Sequence, residues 1–308
     1  MAAISRKTLT QALRIVWVIG AIGFLGYFLY RSWDEAVSLL FSLSWWQPVV
    51  AFALLLGGKA CYVDVVRRML RATGSRASYG FAFYAYSLSQ LGKYIPGSVW
   101  QFVGRFEIYR GGDVTAARAV QLILLENLLM LGVAGFIALG AAPVLLTILS
   151  GYVPPFLLGI AIGFAILAAL MLAWFVKPVR SRITQAADAG WRHRVLALQV
   201  LALFAAMWIL MGASASILLV QNENMTLTYA AYVAALFCAA YVAGFVALFA
   251  PAGLGVREAV FVLGLSATFP IEAALLLTLG HRLLYVIVDI VMGLAALGLH
   301  GWAARQQA

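Results

Sequence analysis

The chain alternates long apolar blocks with short charged or glycine- and proline-containing stretches. Counted against that punctuation, the pattern predicts long helices near 14–30, 47–66, 79–95, 118–140, 155–176, 196–220, 228–250 and 271–300. Each block approaches the roughly 20 apolar residues that an α-helix needs to cross about 30 Å of hydrocarbon. Two further segments, 97–110 and 252–266, are too short or too polar for a full span, and each follows directly on a proline, Pro96 or Pro251. These predict re-entrant half-helices. The expected fold is an all-α polytopic membrane protein, a single integral domain over 1–308, with about eight crossings and two half-helices.

Loops rich in lysine and arginine stay on the cytoplasmic side because they translocate poorly. Arg6, Lys7 and Arg14 therefore place the N-terminus inside, ahead of a retained first helix rather than a cleaved signal. Arg67, Arg68, Arg71 and Arg76 bring the chain back in, as Lys177, Arg180, Arg182, Arg192 and Arg194 do later. The loop at 31–46, the uncharged 141–154 and the weakly charged 221–227 fall outside. The alternation requires an even number of crossings from 79–117, which a long helix and a short return segment supply. The expected location is the cytoplasmic (inner) cell membrane, with both termini cytoplasmic.

Composition agrees with this reading. Of 308 residues 65% are hydrophobic and only 10% charged, against about 25% charged in globular proteins. The formal net charge of +10 is mostly topological bias with some attraction to anionic lipid, and does not point to nucleic acid. Cys61 and Cys238 lie in apolar runs and behave as small hydrophobes, outside any disulfide framework or zinc spacing. Neither metal nor cofactor is expected. His281 has no second ligand at metal spacing and reads as a hydrogen-bonding core residue. The pair Gly253 and Gly255 lacks a preceding strand and reads as close packing or a turn.

A shift of 155 residues aligns Pro96 with Pro251, Ala85-Tyr86 with Ala240-Tyr241 and Phe106 with Phe261. With the charge-derived topology, the units 79–142 and 234–297 would be inverted copies. Inverted repeats with interrupted helices place substrate sites near the bilayer midplane. A helix broken in lipid survives only where protein, water or ligand satisfies its freed backbone groups. The N-terminus of a short helix also presents unpaired N–H groups that favour an anion.

Charged groups inside such helices cost from about 3 to more than 10 kcal/mol and are functional candidates by default. These charges, with the neutral polar groups beside them, are Lys93 before Pro96 and Gly97; Gln101 and Arg105, on one face with Ser98; Glu126 and Asn127; Arg257 and Glu258 after Pro251; and Arg282 and Asp289, seven apart on the last helix. Lys59 and Asp64 read as snorkelling or locally paired. A network of structural ion pairs, such as Arg257 with Glu126 or Arg282 with Glu258, is the competing reading.

"GKYIPGSVWQFVGR", "GGDVTAARAVQLILLENLL" and "APAGLGVREAV", in that order, resemble the flippase-like membrane domain of the lysylphosphatidylglycerol synthase (multiple peptide resistance factor) family. The resemblance covers about residues 10–300 and implies movement of aminoacylated phosphatidylglycerol or another lipid-linked molecule between leaflets. No soluble synthase domain is expected in this sequence, so the resemblance implies translocation without synthesis. It carries Lys93, Pro96, Gly97, Arg105, Glu126, Pro251, Gly253, Gly255, Arg257 and Glu258 as matching positions.

The expected function is lipid translocation rather than enzymatic catalysis, with a phospholipid headgroup as ligand and a lipid-modifying enzyme as a candidate partner. The carboxylates would balance the cations or hold an amino group. A secondary transporter of a small organic anion would use the same charges in a closed path. A membrane enzyme on a lipid-linked phosphate would need an acid, base or metal constellation, and a scaffold for a partner enzyme is a fourth reading.

Overall fold

The computed structural model describes residues 43–95, 99–112, 114–141, 190–219, 226–247, 250 and 253–306. The expected crossings at 14–30 and 155–176 lie outside these residues, as do Pro96, Gly97 and Pro251. The described residues form eight α-helices and no strand. They are α1 (Trp46–Ala72), α2 (Tyr79–Leu91), α3 (Trp100–Gly111), α4 (Ala116–Ala138), α5 (Gly190–Ile217), α6 (Leu227–Val246), α7 (Val256–Leu265) and α8 (Ile271–Gln306). Short 3₁₀ turns follow α2 at Gly92–Tyr94 and α4 at Leu139–Ala141. Five segments are long and apolar enough to cross a membrane, in α1, α4, α5, α6 and α8.

The expected long helix at 79–95 is shorter than its sequence suggests. Ser78 starts it, its hydroxyl accepting the Phe81 N–H at 3.1 Å, but α-helical geometry stops at Leu91. Thirteen residues reach only about 20 Å. The 3₁₀ turn then ends on Ile95, which is extended (φ −78°, ψ 131°) as the residue before a proline prefers. The chain folds back so tightly that a Cβ at Gly92 would stand 2.8 Å from the Gln101 nitrogen. The apolar run of α2 and its turn is thus split from α3, and neither piece spans alone. The α6 helix likewise stops at Val246, four residues short of the apolar run.

The two interruptions share a register. Leu91 and Val246, which end α2 and α6, are 155 residues apart, and so are Ala116 and Ile271, which begin α4 and α8. Between them lie α3 and α7, the two short helices. The elements pack through small residues, as membrane helices do where apolar side chains gain little by leaving lipid. In the close α1–α5 interface, a Cβ at Gly58 would meet Met211 at 3.0 Å and the Met207 carbonyl at 3.1 Å. Trp208 of α5 is buried and donates its indole N–H to the Met130 carbonyl of α4 at 3.0 Å, so its one polar atom is satisfied.

Candidate functional site

Among the described residues, three charge clusters organise the interior, and each joins different helices. The first is centred on Asp289 of α8. One carboxylate oxygen lies 2.5 Å from Lys59 Nζ of α1 and the other 2.5 Å from Lys93 Nζ in the turn after α2. The Tyr94 hydroxyl donates to the second oxygen at 2.7 Å. Tyr285, one turn earlier on α8, offers its ring to both ammonium groups, with centroids 3.8 Å from Lys59 and 4.6 Å from Lys93. All three charged residues are buried, so two cations share one anion.

The second cluster is closed. Arg105 of α3 pairs with Glu126 of α4 at 2.8 Å and donates through Nε to Ser89 at 3.1 Å. The Tyr109 hydroxyl caps the other Glu126 oxygen at 2.7 Å. Arg105 and Glu126 are buried and cancel each other's charge. The expected partnership of Arg257 with Glu126 does not occur: Arg105 reaches that carboxylate first, from the neighbouring helix.

The third lies at the second interruption. Glu258 accepts the Gly255 N–H at 2.7 Å, which caps α7, and pairs with Arg282 of α8 at 3.3 Å. That pairing follows the sequence expectation. Arg282 and Asp289, expected on one face, serve different clusters two turns apart. Arg257 stacks its guanidinium on the Tyr241 ring, 3.9 Å from the centroid. Its Nε is buried without a hydrogen-bond partner, and no carboxylate among the described residues forms an ion pair with it.

Glycines make room for that arginine. Gly253 adopts φ +69°, open to glycine at little cost, and packs so that a Cβ there would stand 2.7 Å from the Gly244 carbonyl oxygen and 2.9 Å from Arg257 Nε. A Cβ at Gly244 would fall onto the Arg257 side chain itself. Gly253 and Gly255, the latter at φ +83°, therefore act as close packing and a turn, as their sequence suggests.

A cavity of about 780 Å³ brings the two interruptions together. Lys93 and Gln101 line it from the first, Gly253 and Arg257 from the second, and Asn127 from α4. Most of the remaining wall is apolar. Gln101 faces the cavity, whereas Arg105, one turn on, turns into the closed pair. Val103, Val120 and Leu124 also line the cavity and are 43%, 46% and 57% exposed, so its wall on α3 and α4 faces outward. Glu107, also on the lining, is exposed at the rim.

Sequence reasoning missed Lys59, Gly244 and the tyrosines. Lys59 reads as a snorkelling residue near a cytoplasmic arginine cluster, yet it is fully buried. A signal was available for the tyrosines: Tyr86 and Tyr241 are 155 apart, and each carries an arginine from the short helix that follows, Arg105 at 5.4 Å and Arg257 at 3.9 Å. Asp64, by contrast, pairs locally with Arg67 and Arg68, and His281 is a buried core residue 2.7 Å from the Ser214 hydroxyl, both as expected. In comparisons with known proteins, no family model matches the chain and no curated protein matches it. The chain is an all-α, multi-pass membrane protein with a cation-bearing interior cavity.

Proposed function

We propose that the protein is a lipid translocase of the flippase type, which passes an anionic headgroup through the interior cavity while the acyl chains remain in the bilayer. The cavity carries this reading. It collects Lys93 and Arg257 from two separate helix interruptions, and its α3–α4 wall exposes apolar side chains outward. A carrier for a free solute needs a path closed to lipid, whereas an outward-facing apolar wall suits an acyl chain that stays outside while its headgroup enters. The family resemblance of the two motif blocks points the same way.

The shared 155-residue register supports an inverted repeat. With the topology drawn from lysine and arginine, α2 and α3 form a hairpin entering from the cytoplasmic face, and α6 and α7 a counterpart from the other. Exchange between leaflets would then require the two hairpins to alternate in opening, in the cytoplasmic membrane, with both termini inside.

Purified protein reconstituted into vesicles with a panel of labelled lipids tests the reading. The wild type is expected to speed leaflet exchange of at least one anionic lipid. Arg257→Ala should slow it about tenfold or more, since a cation–phosphate contact in a partly desolvated site contributes well over 1.4 kcal/mol. Exchange equal to that of protein-free vesicles for every lipid would refute the proposal. A second variant approaches the same arginine without touching its charge. Gly244→Val places methyl groups where the Arg257 stem lies, and should reduce exchange as far as Arg257→Ala does. Wild-type exchange by folded Gly244→Val protein would show that the seat of Arg257 on Tyr241 is dispensable.

A further inference from the structure

We infer that the headgroup taken by this cavity carries two negative charges, as a phosphate monoester does, and no ammonium group. The inference rests on the translocase reading of the same cavity and follows from how the interior charges cancel. Arg105 is neutralised by Glu126 and Arg282 by Glu258. Asp289 neutralises one of the two lysines that flank it, leaving one positive charge shared between Lys59 and Lys93. Arg257 has no carboxylate partner among the described residues. Among the described residues, five interior cations thus face three carboxylates, an excess of two.

That excess is located at the cavity. Lys93 and Arg257 both line it, and the three interior carboxylates do not. Glu107 is the one acid on its lining, and it is exposed at the rim, where solvent or headgroups screen it. Part of the register bears on this imbalance. Tyr86 and Tyr241 are 155 apart and carry Arg105 and Arg257, although the position 155 after Arg105 is Val260 and Arg257 stands three residues earlier; Arg105 is neutralised by Glu126, whereas the position 155 after Glu126 is His281, which bonds Ser214 and offers Arg257 no carboxylate.

Two uncompensated cations in a low-dielectric wall favour a dianion over a monoanion. A phosphate monoester carries close to two negative charges near neutral pH, whereas a phosphodiester headgroup carries one. An aminoacylated headgroup would bring an ammonium into a cavity that already holds two cations, with every interior carboxylate engaged. The chemistry shared by a lipid monophosphate and free phosphate is the phosphate dianion. Asn127 and Gln101 supply neutral polar groups beside it.

The test uses the full chain in phosphatidylcholine vesicles doped with labelled phosphatidic acid, phosphatidylglycerol or lysylphosphatidylglycerol. Phosphatidic acid is expected to exchange between leaflets about tenfold faster than phosphatidylglycerol, the effect of one added charge contact, and lysylphosphatidylglycerol slowest. Lys93→Gln and Arg257→Gln, which each remove one excess charge and leave the Lys59–Asp289 pair in place, should bring the first two lipids close to parity. Arg257→Lys should keep the preference. Phosphatidylglycerol or its lysyl ester exchanging as fast as phosphatidic acid would overturn the inference and leave the translocase reading standing. If no lipid exchanges above the protein-free rate, the translocase reading fails, and the unfolding temperature in phosphatidylcholine nanodiscs decides the charge question. A rise with phosphatidic acid or with inorganic phosphate supports the dianion site and assigns it to lipid or to free phosphate; no rise with either overturns it.

Discussion

Asp289→Asn is expected to destabilise the protein by about 3–5 kcal/mol, the cost of removing one partner from a buried ion cluster. Lys59 is fully buried and Lys93 nearly so, and both ammonium groups sit 2.5 Å from oxygens of the same carboxylate. Without the carboxylate charge, two like charges would remain a few ångströms apart in a medium that screens them poorly, and one amide oxygen would replace the two acceptors that now serve Lys59, Lys93 and the Tyr94 hydroxyl. Removing either lysine is milder. Lys93→Gln leaves a neutral Lys59–Asp289 pair, and its cost should stay below about 2 kcal/mol, near that of a lost charged hydrogen bond. Unfolding of the purified variants in mild detergent would measure the order. Asp289→Asn unfolding as easily as wild type, or Lys93→Gln proving the worse of the two, would show that the carboxylate does not hold these cations together.

The Asp289 cluster also ties α1 and α8 to the turn after α2, next to the first interruption. A conformational change that opened that hairpin would have to carry Lys93 away from Asp289, and Lys59 would remain to neutralise the carboxylate. One anion shared by two cations therefore tolerates the loss of either without leaving a bare buried charge. A single isolated pair would not.

The membrane class, the two interruptions and most of the interior charges were legible in the sequence because the bilayer imposes a simple rule: apolar runs of fixed length, with each exception significant. Pro96 and Pro251 marked the breaks, and the breaks fall beside them. Helix length was less legible. The apolar run at 79–95 has the composition of a span, but the Gly92 fold-back and the extended Ile95 end the helix early. These are backbone effects with little hydropathy signal. Lys59 was misread because hydropathy locates a residue along a helix axis and not around it. At the same depth a lysine could face headgroups or, as here, Asp289 across the bundle. Partner choice was half legible. Glu258 and Arg282 meet as expected, but the sequence reading paired Glu126 with Arg257, and only the packing of α3 on α4 decides for Arg105.

Glu126→Ala is expected to cost a comparable 3–5 kcal/mol, or about that, because it leaves the buried Arg105 guanidinium and the Tyr109 hydroxyl without their acceptor. Arg105→Met combined with Glu126→Leu should recover the part of that loss due to the bare guanidinium, since apolar groups of similar volume often replace a buried ion pair at little cost, while the Tyr109 hydroxyl stays without its acceptor. The same double variant separates structure from transport. Neither Arg105 nor Glu126 lines the cavity, and their charges cancel, so the folded double variant should exchange lipid at the wild-type rate, whereas Arg257→Ala should fold and exchange about tenfold or more slowly. Measured side by side in one vesicle preparation, the two variants dissociate the closed pair from the open cation. A stable double variant without exchange would instead put Arg105 and Glu126 in the path of the headgroup, and the pair would then have to open during each cycle to meet it.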